Sequence, residues 1–412
     1  MPPVRVEVQE YRSTVVPGLD VATARTLGLT GAVTATRDLD GGLRLTASSR
    51  VGVVRAGDVE LVVRPKVGVA RLLWLLGYAR DPAGWRDDDI TLDPSADLTT
   101  GLAVAFAHRA ERALAGGVLR GYRAVDEASP VLRGRLREAD QIRARLAVAV
   151  PLEIRHDDYT ADIDDNRILA TATRRLLRLP GVPAPTRAAL HRIRTRLADV
   201  TPLTAGTPAL ATPVTRLTRR YQPALRLARL VLVHRGIDMP PAAAPGTLAA
   251  TGFLFELNTV FEAWLTTTLR AALERRGGTV DGQRTVQLDE AGRLPARPDI
   301  TWWDANRCLA VVDAKYKATA TVPVQDLYQM IAYCTALGLT DGHLVYAAAT
   351  PTTHVLRHSG IHIHTHAVDL GQPPAALLTQ IDALATAIAT STRSITATGG
   401  VQKKISSEHL IH

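Results

Sequence analysis

Cysteine and long apolar runs are scarce in this sequence of 412 residues. Cys308 and Cys334 are the only cysteines, too few for a secreted disulfide scaffold or for a zinc site built from cysteine, and both are expected to be buried. No apolar stretch reaches the roughly 18 residues that a membrane span needs, and no basic-then-apolar segment opens the chain. We therefore expect a cytoplasmic protein without membrane contact.

Lysine is also scarce. Only five of the 49 basic residues are lysines, so arginine stands almost wherever charge alone is needed. Two of the five, Lys315 and Lys317, follow an apolar run, where a compact ammonium differs chemically from a planar guanidinium. No glycine–lysine pair occurs, so the usual phosphate-binding loop for a nucleoside triphosphate is missing. We therefore expect the chain itself to bind no nucleotide.

Positive charge is concentrated in the middle of the chain. The net charge is +9, and residues 165–235 contain 14 arginines against two aspartates, whereas the part from residue 247 onward is nearly neutral. Such a stretch forms either solvated helix faces or a surface that binds phosphates. The candidates for contact with DNA or with an acidic partner surface are Arg174, Arg175, Arg216, Arg219 and Arg220.

Three regions follow from the hydrophobic pattern. Residues 1–150 are predicted to be β-rich with one long helix, residues 151–246 to be helical, rich in arginine and closed by a linker, and residues 247–412 to form a separate domain. In that domain a helix is predicted from Phe253 to Gly277, then three strands, a helix and further strands before a closing helix. This order predicts an α/β fold with a mixed sheet flanked by helices, able to fold without the first region.

The segment "RPDITWWDANRCLAVVDAKYK", residues 297–317, carries the candidate site. Side chains alternate along a strand, so Asp313 and Lys315 share one face. If Asp299 lies near the start of the neighbouring strand, two carboxylates converge on one Mg²⁺, which takes one or two carboxylates plus waters and phosphate oxygens. Lys315 can then orient an attacking water or stabilise charge on a phosphate. The alternative is a strand-end salt bridge beside a turn.

Three further residues are candidates for supporting roles. Gln329 and Tyr333 are four residues apart, on one face of the next helix, where they can hold a water or a DNA phosphate. Glu262 lies on the helix that opens the same domain, one turn after Asn258. An exposed helix acid is the alternative interpretation of Glu262.

Histidines repeat along a later strand, "GIHIHTHAVDL". His362, His364 and His366 share one strand face and could bind Zn²⁺, but neighbouring side chains on such a face splay apart instead of converging tetrahedrally. We therefore expect a solvated strand face.

The sequence Pro298-Asp299, followed by Asp313-Ala314-Lys315, resembles the PD-(D/E)xK nuclease superfamily, and Gln329 with Tyr333 resembles its RecB-like branch. A narrower resemblance is to the McrC family, the nuclease subunits of McrBC-type (type IV, 5-methylcytosine-specific) restriction systems. It is carried, in this order, by "DVELVVRPKVGVARLLWLLGYA", "LRGRL", "DDNRILATATRRLL", "FELNTVFEAWL" and "VVDAKYK", which together span most of the chain.

The resemblance implies a PD-(D/E)xK endonuclease domain at residues 247–412. Carried over by position, it implies metal-binding Asp299 and Asp313, a catalytic Lys315, and three supporting members of the site: Glu262, Gln329 and Tyr333. The implied cofactor is Mg²⁺, with Mn²⁺ as a substitute. The implied substrate is double-stranded DNA that carries modified cytosine.

The same resemblance implies a partner, an McrB-like AAA+ GTPase ring whose GTP hydrolysis the chain stimulates. Residues 1–150 are the candidate for docking into that ring. Two alternatives stay open: a RecB-like repair nuclease with the same chemistry, and a non-catalytic adaptor that retains a nuclease fold.

Overall fold

Two larger sheets, one of five strands and one of six, organise the chain in the computed structural model. The structure describes residues 3–38, 41–82, 97–144, 150–204, 207, 214–233, 236–239, 247–319 and 321–405. No helix within these ranges is both long and apolar enough to cross a membrane.

The start of the chain is built from short strands, as the sequence predicts. Runs rich in valine and leucine form the strands, and glycine and aspartate turns separate them. The elements are β1 (Val4–Gln9), β2 (Ser13–Val16), α1 (Val21–Leu29), β3 (Val33–Arg37), β4 (Leu43–Ala47), β5 (Arg50–Ala56) and β6 (Val59–Arg64).

The middle of the chain contains a helical cluster and a separate small sheet. The predicted long helix is confirmed as α3, and it packs against α6 and α7. The elements are α2 (Val69–Tyr78), α3 (Leu98–Leu114), β7 (Gly121–Ser129), β8 (Arg135–Leu136), α4 (Glu138–Ala144), β9 (Leu152–Thr160), α5 (Asp164–Leu177), α6 (Ala184–Arg196), the 3-10 helix Arg219–Tyr221, α7 (Gln222–Val233) and β10 (Gly236–Met239).

The last part of the chain alternates strands and helices. Its elements are β11 (Ala250–Glu256), α8 (Leu257–Glu274), β12 (Thr279–Gly282), β13 (Val286–Gln287), β14 (Pro295–Ala296), β15 (Ile300–Asp304), β16 (Arg307–Thr319), α9 (Val324–Leu337), β17 (Asp341–Ala349), β18 (Thr352–Val355), β19 (His362–Ala367) and α10 (Pro374–Ile405).

The six-stranded sheet is mixed and has helices on both faces, which confirms the predicted α/β arrangement. Its order is β12-β15-β16-β17-β19-β18, with β16 antiparallel to β15 and parallel to β17. Successive residues of β16 belong to different hydrophobic clusters. Val312 packs in the cluster that contains Trp264 of α8, and Val311 packs in the cluster that contains Met330 of α9. The strand therefore has an α8 face and an α9 face.

One predicted helix start is wrong. The helix was expected from Phe253, but residues Ala250–Glu256 form strand β11, which pairs antiparallel with β5, and α8 begins only at Leu257. Phe253 and Phe255 are fully buried in this strand. A continuous apolar run reads alike as a buried strand or a buried helix, and here the partner strand decides.

The five-stranded sheet joins the start of the chain to its last part, since its order is β1-β6-β5-β11-β10. One core also runs through all three predicted regions, because Val6, Leu190, Trp264 and Ile388 belong to the same buried cluster. The boundaries predicted at residues 150 and 246 therefore do not coincide with a gap in the packing.

Candidate active site

Asp313 and Lys315 lie on the α9 face of β16, where the alternation of strand side chains predicts them. Asp313 is 2% exposed, and the Lys315 ammonium lies directly beside its Oδ2. Burial raises the pKa of the Asp313 carboxyl, and the lysine opposes that shift. A buried carboxylate of this kind needs a cation close by.

Asp299 reaches the same place from the residue before β15. Its Oδ2 accepts a hydrogen bond from the backbone N–H of Ala314, at 2.7 Å. Ala314 lies just beyond Val312, the last residue of β16 that pairs with β15. Burial, and next the charge of Asp313, raises the pKa of Asp299 to about 7. The structure thus brings the two predicted carboxyls together at one end of the β15–β16 pair.

The two carboxyls fit a hard divalent cation. Both offer only oxygen ligands. Burial raises both pKa values because it destabilises the charged carboxylates, and a bound cation would stabilise them. Within the described part of the chain no group of three or more His, Cys, Asp or Glu residues has metal-holding geometry. Such an ion would therefore keep most of its positions for water and substrate oxygens, as Mg²⁺ commonly does.

Helix α9 supplies the next two residues of the site. The Lys315 ammonium donates to Gln329 Oε1 at 2.9 Å, and Gln329 Nε2 donates to the Tyr333 hydroxyl at 2.8 Å. That hydroxyl donates in turn to the carbonyl of Arg297 at 3.4 Å, and burial raises the Tyr333 pKa. The amide orientation is fixed by this chain of hydrogen bonds, so Lys315 has two acceptors, a carboxylate and an amide oxygen.

Asp326 is a neighbour of the site that the sequence did not reveal. It lies in the first turn of α9, is 7% exposed, and accepts from the Lys317 ammonium at 2.8 Å and from the Tyr346 hydroxyl at 2.6 Å. An acid in the first turn of a helix is a common favourable position, which is the only sequence signal for it. Its contacts fasten the start of α9 to β16 and β17.

Glu262 lies at the border of the site. Its carboxylate accepts a hydrogen bond from the Gln283 side chain, yet it is close enough for its charge to contribute to the raised pKa of Asp299. Glu256, which the sequence gave no reason to select, lies before α8 and is bonded by Ser49, Arg50 and Asn258.

The five arginines named from the sequence are not equivalent. The Arg175 guanidinium lies 5.3 Å from the Phe253 ring centroid and donates to the Leu232 carbonyl, so it packs within the protein. Arg220 donates to the Gly117 carbonyl at 2.8 Å while remaining exposed. The side chains of three others are exposed: Arg174, Arg216 and Arg219.

The expected solvated histidine face is only partly correct: the His362 side chain is 43% exposed, but His366 is covered. His366 of β19 shares a hydrogen bond of 3.1 Å with His343 of β17, which is 1% exposed and lies 3.4 Å from the Ser391 hydroxyl of α10. Burial lowers the pKa of His366 to about 4 and that of His343 well below its usual value. These rings therefore form a partly covered, neutral layer. Both cysteines are buried, as predicted.

The chain is similar to known proteins over most of its length. A family model described as McrBC 5-methylcytosine restriction system component matches residues 45–347. A refined half-complex of Thermococcus gammatolerans McrB AAA+ hexamers with bound McrC contains a similar chain: the TM-score is 0.58, the identity 16%, and the coverage 92% of this chain and 98% of that one.

A second solved structure, the Thermococcus gammatolerans McrBC complex, contains a chain with a TM-score of 0.40 and 19% identity, with coverage of 66% of this chain and 88% of that one. No curated protein sequence matches.

Proposed function

Because the chain belongs to the family of McrBC 5-methylcytosine restriction system components, we propose that it is the DNA-cleaving subunit of such a system. In this proposal it is a Mg²⁺-dependent endonuclease of PD-(D/E)xK type that cuts double-stranded DNA carrying modified cytosine. An McrB-like AAA+ GTPase ring activates it, and the chain stimulates GTP hydrolysis by that ring.

One observation carries the proposal: Asp299, from the residue before β15, comes together with Asp313 and Lys315 of β16. Asp299 bonds the backbone of Ala314, between the other two, so the three functional groups are held within one short stretch of β16. A strand-end salt bridge alone does not account for Asp299, whose buried carboxyl lies beside a like charge. A site that binds a cation does.

Each residue of the site has its own role in the proposed reaction. Asp299 and Asp313 would hold Mg²⁺, which when bound lowers the pKa of a coordinated water and neutralises charge on a phosphate. The Lys315 ammonium presents a compact positive charge to a phosphate oxygen or orients the attacking water. Gln329 holds that ammonium by its amide oxygen, and Tyr333 fixes the orientation of the amide.

The proposed partner, an McrB-like ring, is supported by the family and by exposed side chains on and beside the β7–β9 strand pair. The structure with a TM-score of 0.58 is of McrB AAA+ hexamers with bound McrC, and we extend that assembly to this chain. Strands β7 and β9 pair over nine residues, and Tyr122 and Tyr159 on them are 77% and 55% exposed. Leu132, in the loop after β7, is 58% exposed. The two tyrosine rings lie 5.2 Å apart near one end of this strand pair, and Leu132 lies past its other end; exposed apolar side chains such as these mark a surface for another protein.

The proposed DNA contacts are the exposed arginines of the middle region, Arg174, Arg216, Arg219 and Arg220. Each arginine that contacts a phosphate should, when replaced, lower the log–log salt slope of DNA affinity by about 1. Arg175 is the matched control because its guanidinium is already engaged by Phe253 and Leu232.

The experiment that tests the function uses the chain together with its GTPase partner, methylated DNA, GTP and Mg²⁺. Asp313→Asn should abolish cutting while the GTPase rate of the complex stays normal. Asp304→Asn, an exposed acid at the end of β15, is the control and should cut normally. Full cutting by Asp313→Asn rejects the site, and rapid cutting by the isolated chain without GTP favours a stand-alone repair nuclease.

A further inference from the structure

Tyr316 lies between the two lysines of β16, and two residues from the start of the chain hold it. Its hydroxyl donates to Glu10 Oε1 at 2.9 Å, and its backbone carbonyl accepts from the Tyr11 hydroxyl at 3.2 Å. Its ring is 8% exposed and lies 6.1 Å from the Phe261 ring of α8, on the strand face opposite to Lys315. Both ends of Tyr316 are thus fixed by residues about 300 positions away in the chain.

The hydrogen bond from Tyr11 to Tyr316 lies beyond the point where β15 stops pairing with β16. The pairing of β15 with β16 ends at Val312, and backbone groups of alternate residues point to the same side of a strand. Asp299 satisfies the N–H of Ala314 on that side, and Tyr11 satisfies the carbonyl of Tyr316. In the part of the chain that the structure describes, two side chains therefore replace a paired strand along the stretch that carries Lys315.

Glu10 and Tyr11 adopt an unfavourable arrangement to make these contacts. Tyr11 has a φ of 57°, a left-handed conformation that is uncommon for a non-glycine residue. Glu10 is fully buried; its Oε1 also accepts from the Lys66 backbone N–H at 2.6 Å, and its Oε2 has no hydrogen-bond partner among the described residues. Burial raises its pKa. Strain and an orphaned buried oxygen at one contact indicate a functional constraint.

We propose that Glu10 and Tyr11 are positioning residues for the catalytic strand, because they clamp Tyr316 and so hold its neighbour Lys315 against Asp313 and Gln329. The proposal rests on the proposed function, since it assigns the clamp a role in that reaction. Displacement of a reacting group by about 1 Å can cost a hundredfold in rate, so a loose strand end is sufficient to impair cutting. The first strand of the chain then completes the nuclease site.

The first test needs neither DNA, metal nor partner. The chain has only five lysines, so acetylation of Lys315 by a limiting amine reagent can be followed by peptide mass spectrometry. Tyr11→Phe and Glu10→Leu should each raise the initial labelling rate of Lys315 severalfold. Tyr221→Phe is the control, because it also removes a hydrogen-bonded tyrosine hydroxyl, one that accepts from the Leu119 N–H in a different part of the chain. That variant should label at the wild-type rate.

The second test measures single-turnover cleavage by the complex with the GTPase partner. Tyr11→Phe and Glu10→Leu should lower the rate constant about tenfold or more. The KM for DNA and the Mn²⁺ affinity should stay within about twofold, because neither variant touches the carboxyls or the DNA surface. Glu10→Gln keeps an acceptor oxygen for Tyr316 and Lys66, and it should restore most of the rate.

The outcomes separate a positioning role from a merely structural one. If Tyr11→Phe and Glu10→Leu lower the melting temperature but leave Lys315 labelling and the cleavage rate unchanged, the clamp is structural and the proposal is overturned. Failure of Glu10→Gln to restore the rate also contradicts it. If the wild-type complex cuts no DNA, the proposed function fails, and the labelling of Lys315 alone then decides whether the clamp holds the strand.

Discussion

Lys315 contacts a carboxylate and an amide oxygen at once, and the shape of its cation matters for both contacts. Lys315→Arg keeps the charge but places a planar, bulkier guanidinium where Asp313 and Gln329 hold a compact ammonium. We expect cleavage by the complex to fall at least about a hundredfold, measured as the initial rate. Lys317→Arg is the control, since the Lys317 side chain is 37% exposed and pairs with Asp326 instead of with Asp313 and Gln329. Equal activity of Lys315→Arg and wild type would reduce Lys315 to a counter-charge.

Asp299 should make the metal-free protein less stable at alkaline pH. Its folded pKa of about 7 is raised above the usual value of 3.8, so the folded state loses stability as pH rises from about 4 to 7. Asp299→Asn keeps the acceptor for Ala314 and removes this penalty. Without metal, its unfolding free energy at pH 8 should exceed that of wild type by roughly 4 kcal/mol, and at pH 4 the two should nearly agree. A less stable variant at pH 8, measured by urea unfolding in chelator, contradicts the assignment.

At the scale of elements, the sheet around β17 and β19 should make the protein sensitive to acid. His343 and His366 share a hydrogen bond, and the groups that face them are His364, Asp341 and Ser391. Burial lowers the pKa values of His343 and His366. In the unfolded chain both imidazoles bind protons below about pH 6.5, whereas folded His366 does not until about pH 4, and burial keeps the pKa of folded His343 well below its usual value, so stability is lost as pH falls below about 6.5. Each such histidine contributes a slope of about 1.4 kcal/mol per pH unit.

His343→Gln should therefore flatten the acid side of the curve of unfolding free energy against pH by about one histidine's share. His108→Gln, a change at an exposed histidine of α3, is the control and should leave the slope unchanged. An equal slope in wild type and His343→Gln would show that His343 takes up a proton in the folded protein.

The elements also show where prediction from sequence succeeds. Strand alternation was enough to place Asp313 and Lys315 on one face, and helical spacing placed Gln329 beside Tyr333, because both patterns are local. The pairing of β11 with β5, the Asp326–Lys317 contact and the burial of His343 depend on partners distant in sequence. A single sequence with short apolar runs contains no information on those pairings.

At the scale of the whole molecule, the nuclease region depends on the rest of the chain. The sequence predicts that residues from 247 onward fold alone, but β11 pairs with β5, and Phe253 and Phe255 are buried in that shared sheet. Glu10 and Tyr11, from the start of the chain, also hold Tyr316 of β16. We now expect the fragment 247–412 to lack a cooperative thermal transition, measured by circular dichroism. A cooperative transition close to that of the full chain would restore the predicted boundary.

The proposed reaction depends on a divalent cation that Asp299 and Asp313 hold beside Lys315. Titration of the full chain with Mn²⁺, followed by electron paramagnetic resonance of the free ion, tests it without DNA or partner. Wild type and the control Asp304→Asn should bind one ion with the same affinity, and Asp313→Asn should bind at least about tenfold more weakly, since it removes one of only two carboxylates. Unchanged Mn²⁺ affinity in Asp313→Asn would contradict the account.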